Sequence, residues 1–185
     1  LDRHLEGDSN KSIQPVFADF TVLATGGIGG LYENSTNFPH ICGDALGILR
    51  NYQVRTDHLD YIQFHPTTLF VEEEDGRRRL MTEALRGEGA YLLDRNGNRF
   101  TDELQPRDIV TGAIRRLMEK EKTDHVYLSM AHLDPVRIKN RFPYIYAMCL
   151  ERGYDLTRDS IPIVPGQHYH MGGIHVYQKS RTSID

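Results

Sequence analysis

The sequence predicts a mixed fold of helices and strands, α+β in class, with no internal repeat. Three observations carry this. Apolar residues recur at helical spacing over residues 106–118 and again over 134–152. Short apolar runs close on glycine or proline, as at residues 20–25 before Gly26 and 161–164 before Pro165. Asn96-Gly97 lies between two short apolar runs, the strongest short-range hairpin signal. A 39% apolar content over 185 residues supplies one sizeable core. Two compositional centres meet near residues 55–60 and near 165.

Along the chain, residues 13–18 and 20–25 read as two strands about a turn at Asp19. The second runs into Gly26-Gly27-Ile28-Gly29-Gly30, and glycines after an apolar strand bring backbone close to a ligand. No Lys-Ser/Thr follows and G-x-G-x-x-G is absent, so neither a P-loop nor a dinucleotide fingerprint is present. Residues 34–41 form a polar loop, and Ala45, Ile48, Leu49 and Tyr52 mark an amphipathic helix over 43–52. Residues 61–66 read as a strand stopped by Pro66, 69–71 as a short strand, and 72–79 as a mobile charged loop. The hairpin joins 91–93 to 99–100.

Pro106 then opens a helix with Ile109, Val110, Ala113, Ile114, Leu117 and Met118 on its apolar side. It frays over 119–122, and residues 126–130 are strand-like. Asp134-Pro135 pairs an N-cap with a proline at the first helical position. That helix is interrupted at Pro143 and stops at Gly153. Residues 161–164 and 173–176 read as strands bracketing a histidine-rich turn.

A net charge of −4 excludes general attraction to nucleic acid or an anionic membrane. No apolar run approaches a membrane span and no secretory signal opens the chain. Cys42 and Cys149 lack metal-ligand spacing and read as free thiols in a reducing, cytoplasmic compartment. The chain opens at Leu1 without methionine and ends at Asp185 as another strand might begin, so it reads as a piece of a longer protein.

Four islands concentrate polar chemistry beside glycines: Gln63-Phe64-His65-Pro66-Thr67, residues 82–90, Pro106-Arg107-Asp108, and residues 168–173. Arg107 is the most telling. Asp108 suits the positive end of a helix dipole, whereas an arginine there is disfavoured by about 0.3–1 kcal/mol if exposed. A guanidinium converging with helix N–H groups instead makes a site for an anion. The plainer alternative is a surface arginine paired with Asp108 or Asp102. His168 and His170 could chelate a metal from one strand face, but HExxH and paired thiols are absent, so no metal is expected. Hydrolysis by a serine nucleophile is weaker still, since no G-x-S-x-G occurs and Ser9, Ser12 and Ser35 lie in polar loops. His65, Thr82, Arg86, Arg107 and His168 together suit a small anion with a charge at each end.

These islands, with Thr25-Gly26-Gly27-Ile28-Gly29, Thr36-Asn37 and Gly43-Asp44, occur in the order found in one flavoprotein family. The chain resembles L-aspartate oxidases and the flavoprotein subunits of fumarate reductase and succinate dehydrogenase. Pro106-Arg107-Asp108-Ile109-Val110, Arg141-Phe142-Pro143-Tyr144-Ile145-Tyr146, Gly153-Tyr154-Asp155 and Arg181-Thr182-Ser183-Ile184 look like the oxidase branch. Met171-Gly172-Gly173-Ile174 fits succinate dehydrogenase equally well.

The resemblance implies a capping domain of the fumarate reductase flavoprotein type over 58–166. Residues 1–57 and 167–185 would be flanking β-rich pieces of a Rossmann-like FAD-binding domain. Arg107 would be the catalytic arginine, with Glu83 and Arg86 as its proton relay. His65 and Thr82 would hold one carboxylate of the substrate and His168 the other. Gly26, Gly27, Gly29, Thr36, Asn37 and Asp44 would touch FAD. The implied reaction is oxidation of L-aspartate to iminoaspartate, with oxygen or fumarate reoxidising the flavin on the route to quinolinate and NAD. The implied partners are the dicarboxylate (L-aspartate, fumarate or succinate) and the rest of the FAD domain; the chain alone is expected to be inactive. A succinate or fumarate enzyme subunit, needing membrane or redox-subunit partners, and a non-catalytic dicarboxylate-binding module are the alternatives. Ala45, Gln105 and Tyr177 depart from the family's usual residues without removing a proposed catalytic group.

Overall fold

The structure, a computed structural model, describes residues 15–183. Its centre is a four-stranded antiparallel sheet built from β2 (Ile62–Leu69), β5 (Ser160–His170), β4 (Val126–Ser129) and β3 (Tyr91–Leu93), in that order. A separate pair joins β1 (Thr56–Asp57) to β6 (Gly173–Ile174). The helices are α1 (Asp44–Arg50), α2 (Glu83–Gly87), α3 (Arg107–Glu121), α4 (Pro135–Arg141) and α5 (Pro143–Glu151).

The apolar spacing of α3 turns Val110 and Ile114 onto the sheet, where α3 packs against β2 and β5. Leu128, Ile161 and Ile163 rise from the sheet into the same core, and Leu85, Ile138, Met148 and Cys149 close it. Lys122, in the left-handed conformation, ends α3. Asp134 caps α4 by accepting from the Val136 N–H at 2.9 Å, and Pro143 opens α5 instead of kinking one long helix.

Four sequence expectations need correction. Pro66 does not stop β2, which continues to Leu69. Pairing passes from His65 opposite Gly166 to Thr68 opposite Val164, so β2 carries one extra residue there. A proline needs no ladder hydrogen bond inside such a bulge. The histidine-rich segment is likewise no turn: it is the end of β5. The pairings Gln63–Tyr169 and Phe64–Gln167 leave His168 as the extra residue of a second bulge, on the opposite strand.

The third correction concerns the N-terminal flanking piece, whose described residues hold no strand before β1, whereas the C-terminal piece carries the end of β5 and β6. Ile13 and Gln14 lie outside the described residues, and residues 15–25 form no strand. Val16, Phe17 and Phe20 are about nine-tenths exposed. A strand exists only through a neighbour's hydrogen bonds, and no described segment pairs with this one. The 72–79 loop is also tied down. Glu73 accepts from Arg79 at 3.1 Å and from Arg152 at 2.9 Å, while Arg78 donates to Asn34 at 2.7 Å.

Ile114, fully buried between α3 and the sheet, tests this packing. Ile114→Ala is expected to cost about 2–5 kcal/mol of stability, read from urea unfolding. A loss below about 1 kcal/mol would contradict the placement of α3.

Candidate functional site

The site grows from the start of α3. Pro106 precedes the helix and places Arg107 in its first turn. The Arg107 side chain turns toward α2, where its Nε and Nη2 both donate to Glu83 Oε2, at 2.9 and 2.7 Å. Its Nη1 donates to Gln63 Oε1 at 2.8 Å. On the other side of the same carboxylate, Arg86 Nη2 donates to Glu83 Oε1 at 2.7 Å. One carboxylate thus bridges two guanidinium groups. The i, i+3 spacing of Glu83 and Arg86 is realised in α2, whose N-cap is Thr82. Arg86 is 2% exposed and also donates Nη1 to the Glu103 carbonyl at 2.5 Å; its Nε is buried without a partner.

The two strand bulges bring the histidines in. The His65 and His168 rings meet edge to face, centroids 5.5 Å apart. His65 is 1% exposed, and its Nδ1 is bracketed by the Thr67 carbonyl at 3.1 Å and amide at 3.2 Å. Burial pushes its pKa down to about 4, helped by the positive charge of Arg107 and by His168. Burial and Arg107 lower His168 in the same way. Both rings are therefore neutral hydrogen-bonding groups near pH 7. Glu83 is held below the usual carboxylate range by its bonds from Arg107, against the opposing effect of burial. Arg86 is lowered by burial, and Glu83 opposes that shift.

The residues expected to touch a cofactor divide into two groups. Thr36 Oγ1 lies 2.9 Å from His168 Nδ1, and Asn37 Nδ2 donates to the His168 carbonyl at 3.2 Å. These two residues brace His168. Gly29 is closed in: an added Cβ would lie 2.6 Å from Asn37 and Gln167 atoms, and at Gly27 it would lie 2.8 Å from His170. Gly26 is exposed at φ +75°, a conformation glycine adopts freely. Asp44 is exposed at the start of α1, next to Gly43, which lies against the Gly27–Ile28 turn.

Three contributors carried no assigned role in the sequence reading. Gln63 lies two residues before His65 on one strand, and that spacing was the available signal. Gln167 is fully buried and accepts from Ser35 at 2.9 Å and Asn37 at 2.8 Å, leaving its Nε2 without a partner. Ser35, the third, is fixed by Gln167. Neither of the last two residue types announces itself in a loop or strand.

A cavity of about 640 Å³ opens beside Arg107, lined also by Gln63, Phe64, Thr111, Arg115 and Met171. Among the described residues no cluster of three histidine, cysteine or acidic side chains could hold a metal ion. None of their helices is long and apolar enough to cross a membrane.

The fold is mixed helix and sheet, with glycine turns, a bulged strand pair and a cluster of two arginines, a glutamate and two histidines. The chain belongs to the FAD binding domain family, which matches residues 4–185. It is 44% identical over 170 residues to the L-aspartate oxidase of Clostridium perfringens, covering 92% of this chain and 39% of that protein. With the L-aspartate oxidase of Clostridium acetobutylicum the figures are 43% over 175 residues, 95% and 40%. The chain thus spans about two-fifths of the length of these relatives. Its fold matches a quinol-fumarate reductase solved with menaquinol molecules, with a TM-score of 0.75 at 32% identity, covering 86% of this chain and 31% of that one. The fold is therefore of the fumarate reductase and succinate dehydrogenase flavoprotein type.

The neutrality of His65 sets a pH dependence. Its folded pKa, about 4, lies below the unfolded value near 6.5, so the unfolded chain binds more protons between them. Stability from this group is complete above about 6.5 and lost as pH falls toward 4. The His65 Cε1–H resonance should hold its neutral position down to pH 5 and move near 4. A midpoint above 6 would contradict its burial.

Proposed function

We propose that these residues form the substrate-gripping wall of an FAD-dependent L-aspartate oxidase. The reading divides the chain into a capping segment at 58–166, flanked by FAD-domain segments at 1–57 and 167–185. The observation that carries it is the bridged array Arg107–Glu83–Arg86 beside two neutral histidines. Two guanidinium groups share one carboxylate, so the array holds an excess positive charge, and Arg107 is its more open member. That excess suits a dicarboxylate. His65 and Thr82 would hold one carboxylate and His168 the other, the histidines as neutral hydrogen-bonding groups.

FAD fits the donor chemistry at the Thr36–Asn37 edge, where hydroxyl and carboxamide groups stand beside the unpartnered Gln167 Nε2. With Gly26, Gly27, Gly29 and Asp44, these residues would hold the cofactor, which accepts a hydride when bound. Oxidation of aspartate removes a hydride from Cα and a proton from the amino nitrogen, giving iminoaspartate. Arg107 would face the Cα–Cβ bond and take up the amino proton as the hydride leaves Cα. A guanidinium stays protonated and exchanges protons only with help from a neighbour. Glu83, bonded to both arginines, supplies that help as a relay to Arg86.

The 32% identity to the fumarate reductase keeps a succinate or fumarate enzyme as second reading, but the 43–44% identity to oxidases favours aspartate. In the complete flavoprotein, aspartate should bleach the flavin under nitrogen and release peroxide in air. Arg107→Lys should lower kcat by about 100-fold or more. Near-normal turnover would overturn the assignment of Arg107, and reduction by succinate but not aspartate would favour the second reading. The 185-residue chain alone should neither retain FAD tightly nor oxidise aspartate; yellow protein with aspartate-dependent peroxide release would refute this.

A further inference from the structure

The loop that leads into α3 contains a buried acid outside the array just described. Glu103 is 4% exposed. Its Oε1 accepts from the Leu92 N–H at 2.9 Å and from Arg99 Nε at 3.1 Å, and its Oε2 from Arg99 Nη2 at 2.7 Å. Arg99 in turn lies over the Tyr91 ring at 4.1 Å, and Tyr91 stacks on His132 at 3.8 Å. The carboxylate thereby pins residue 103 to the β3 edge.

The backbone of that same residue faces the other way. Among the described residues its carbonyl is one of two acceptors for the buried Arg86 guanidinium, the other being Glu83, and Arg86 Nε has no partner there. A cation this deeply buried depends on each acceptor it has, because a buried charge short of partners is costly. If residue 103 shifted, Arg86 would keep Glu83 alone and would be free to rotate toward it. Glu83 would then hold Arg107 in a different geometry.

We propose that Glu103 is a positioning residue for the Arg86–Glu83–Arg107 array: its carboxylate clamps the loop whose carbonyl seats Arg86. This rests on the functional reading above for its kinetic consequence but not for its structural one. Glu103→Ala removes the clamp. Glu103→Gln keeps an oxygen that accepts from Leu92 and Arg99, so it preserves the loop without the charge.

The test uses the complete flavoprotein. Glu103→Ala should lower kcat for aspartate at least 10-fold with KM changed less than 3-fold, and Glu103→Gln should stay within 3-fold of wild type. The loss must act through Arg86. Arg86→Lys combined with Glu103→Ala should therefore be no slower than Arg86→Lys alone. With arginine labelled in 15N, the Arg86 Nε–H should exchange at least 10-fold faster in Glu103→Ala than in wild type. Should Glu103→Ala fail to fold, Glu103→Asp, one methylene short of Leu92, takes its place with the same expected pattern. Wild-type kcat in the Ala or Asp variant, multiplicative losses in the double variant, or unchanged Arg86 exchange would overturn the proposal. A wild-type protein with no aspartate turnover would defeat the functional reading instead, and the exchange measurement would still decide the role of Glu103.

Discussion

Glu83 carries two guanidinium groups on one carboxylate, and most of the site follows from that sharing. Arg86 is buried to 2% exposure, a position a cation tolerates only when paired and hydrogen-bonded. Glu83 Oε1 meets part of that need, leaving Oε2 to accept from both Nε and Nη2 of Arg107. Two charge-assisted donors converging on one oxygen hold the guanidinium close to it. Arg107 is thereby set at the helix start with its third donor group on Gln63. The sum of charges is positive by one, counting Arg86, Glu83 and Arg107, and that excess is what an anionic substrate would meet.

The histidines complete the site by being uncharged. Were His65 and His168 both protonated, four cations would crowd one carboxylate, and burial beside Arg107 disfavours that state. The backbone makes their meeting possible. Each of the paired strands β2 and β5 carries one extra residue, and the two bulges lie around His65 and His168. A regular ladder would alternate these side chains across the pleat, whereas a bulge re-aims them. The Ser35–Asn37 loop then locks onto the end of β5 through Gln167 and His168.

How much of this was legible in the sequence depended on whether a local signal existed. Arg107, Arg86, His65 and His168 stood out as cations and histidines beside glycines, while Glu83 came only with the family resemblance; the structure brings these five together. The α3 helix was visible in its apolar spacing and its proline start. The bulges were not, because Pro66 and the histidine run imitate a strand stop and a turn; only the pairing with the opposite strand shows otherwise. Residues 20–25 carry strand-forming side chains, yet strand pairing is a property of neighbours and none is present among the described residues. Glu103 and Arg99 look like ordinary surface charges at i, i+4, and nothing in the sequence marks Glu103 as buried.

The most direct test of the shared carboxylate is a double-mutant cycle on folding stability using Glu83→Gln and Arg107→Gln. If Glu83 Oε2 holds Arg107 as described, the two changes should couple by about 1 kcal/mol or more in urea unfolding. Additivity to within about 0.3 kcal/mol would show that the two side chains do not depend on one another, and the account of the site built on Glu83 would fail.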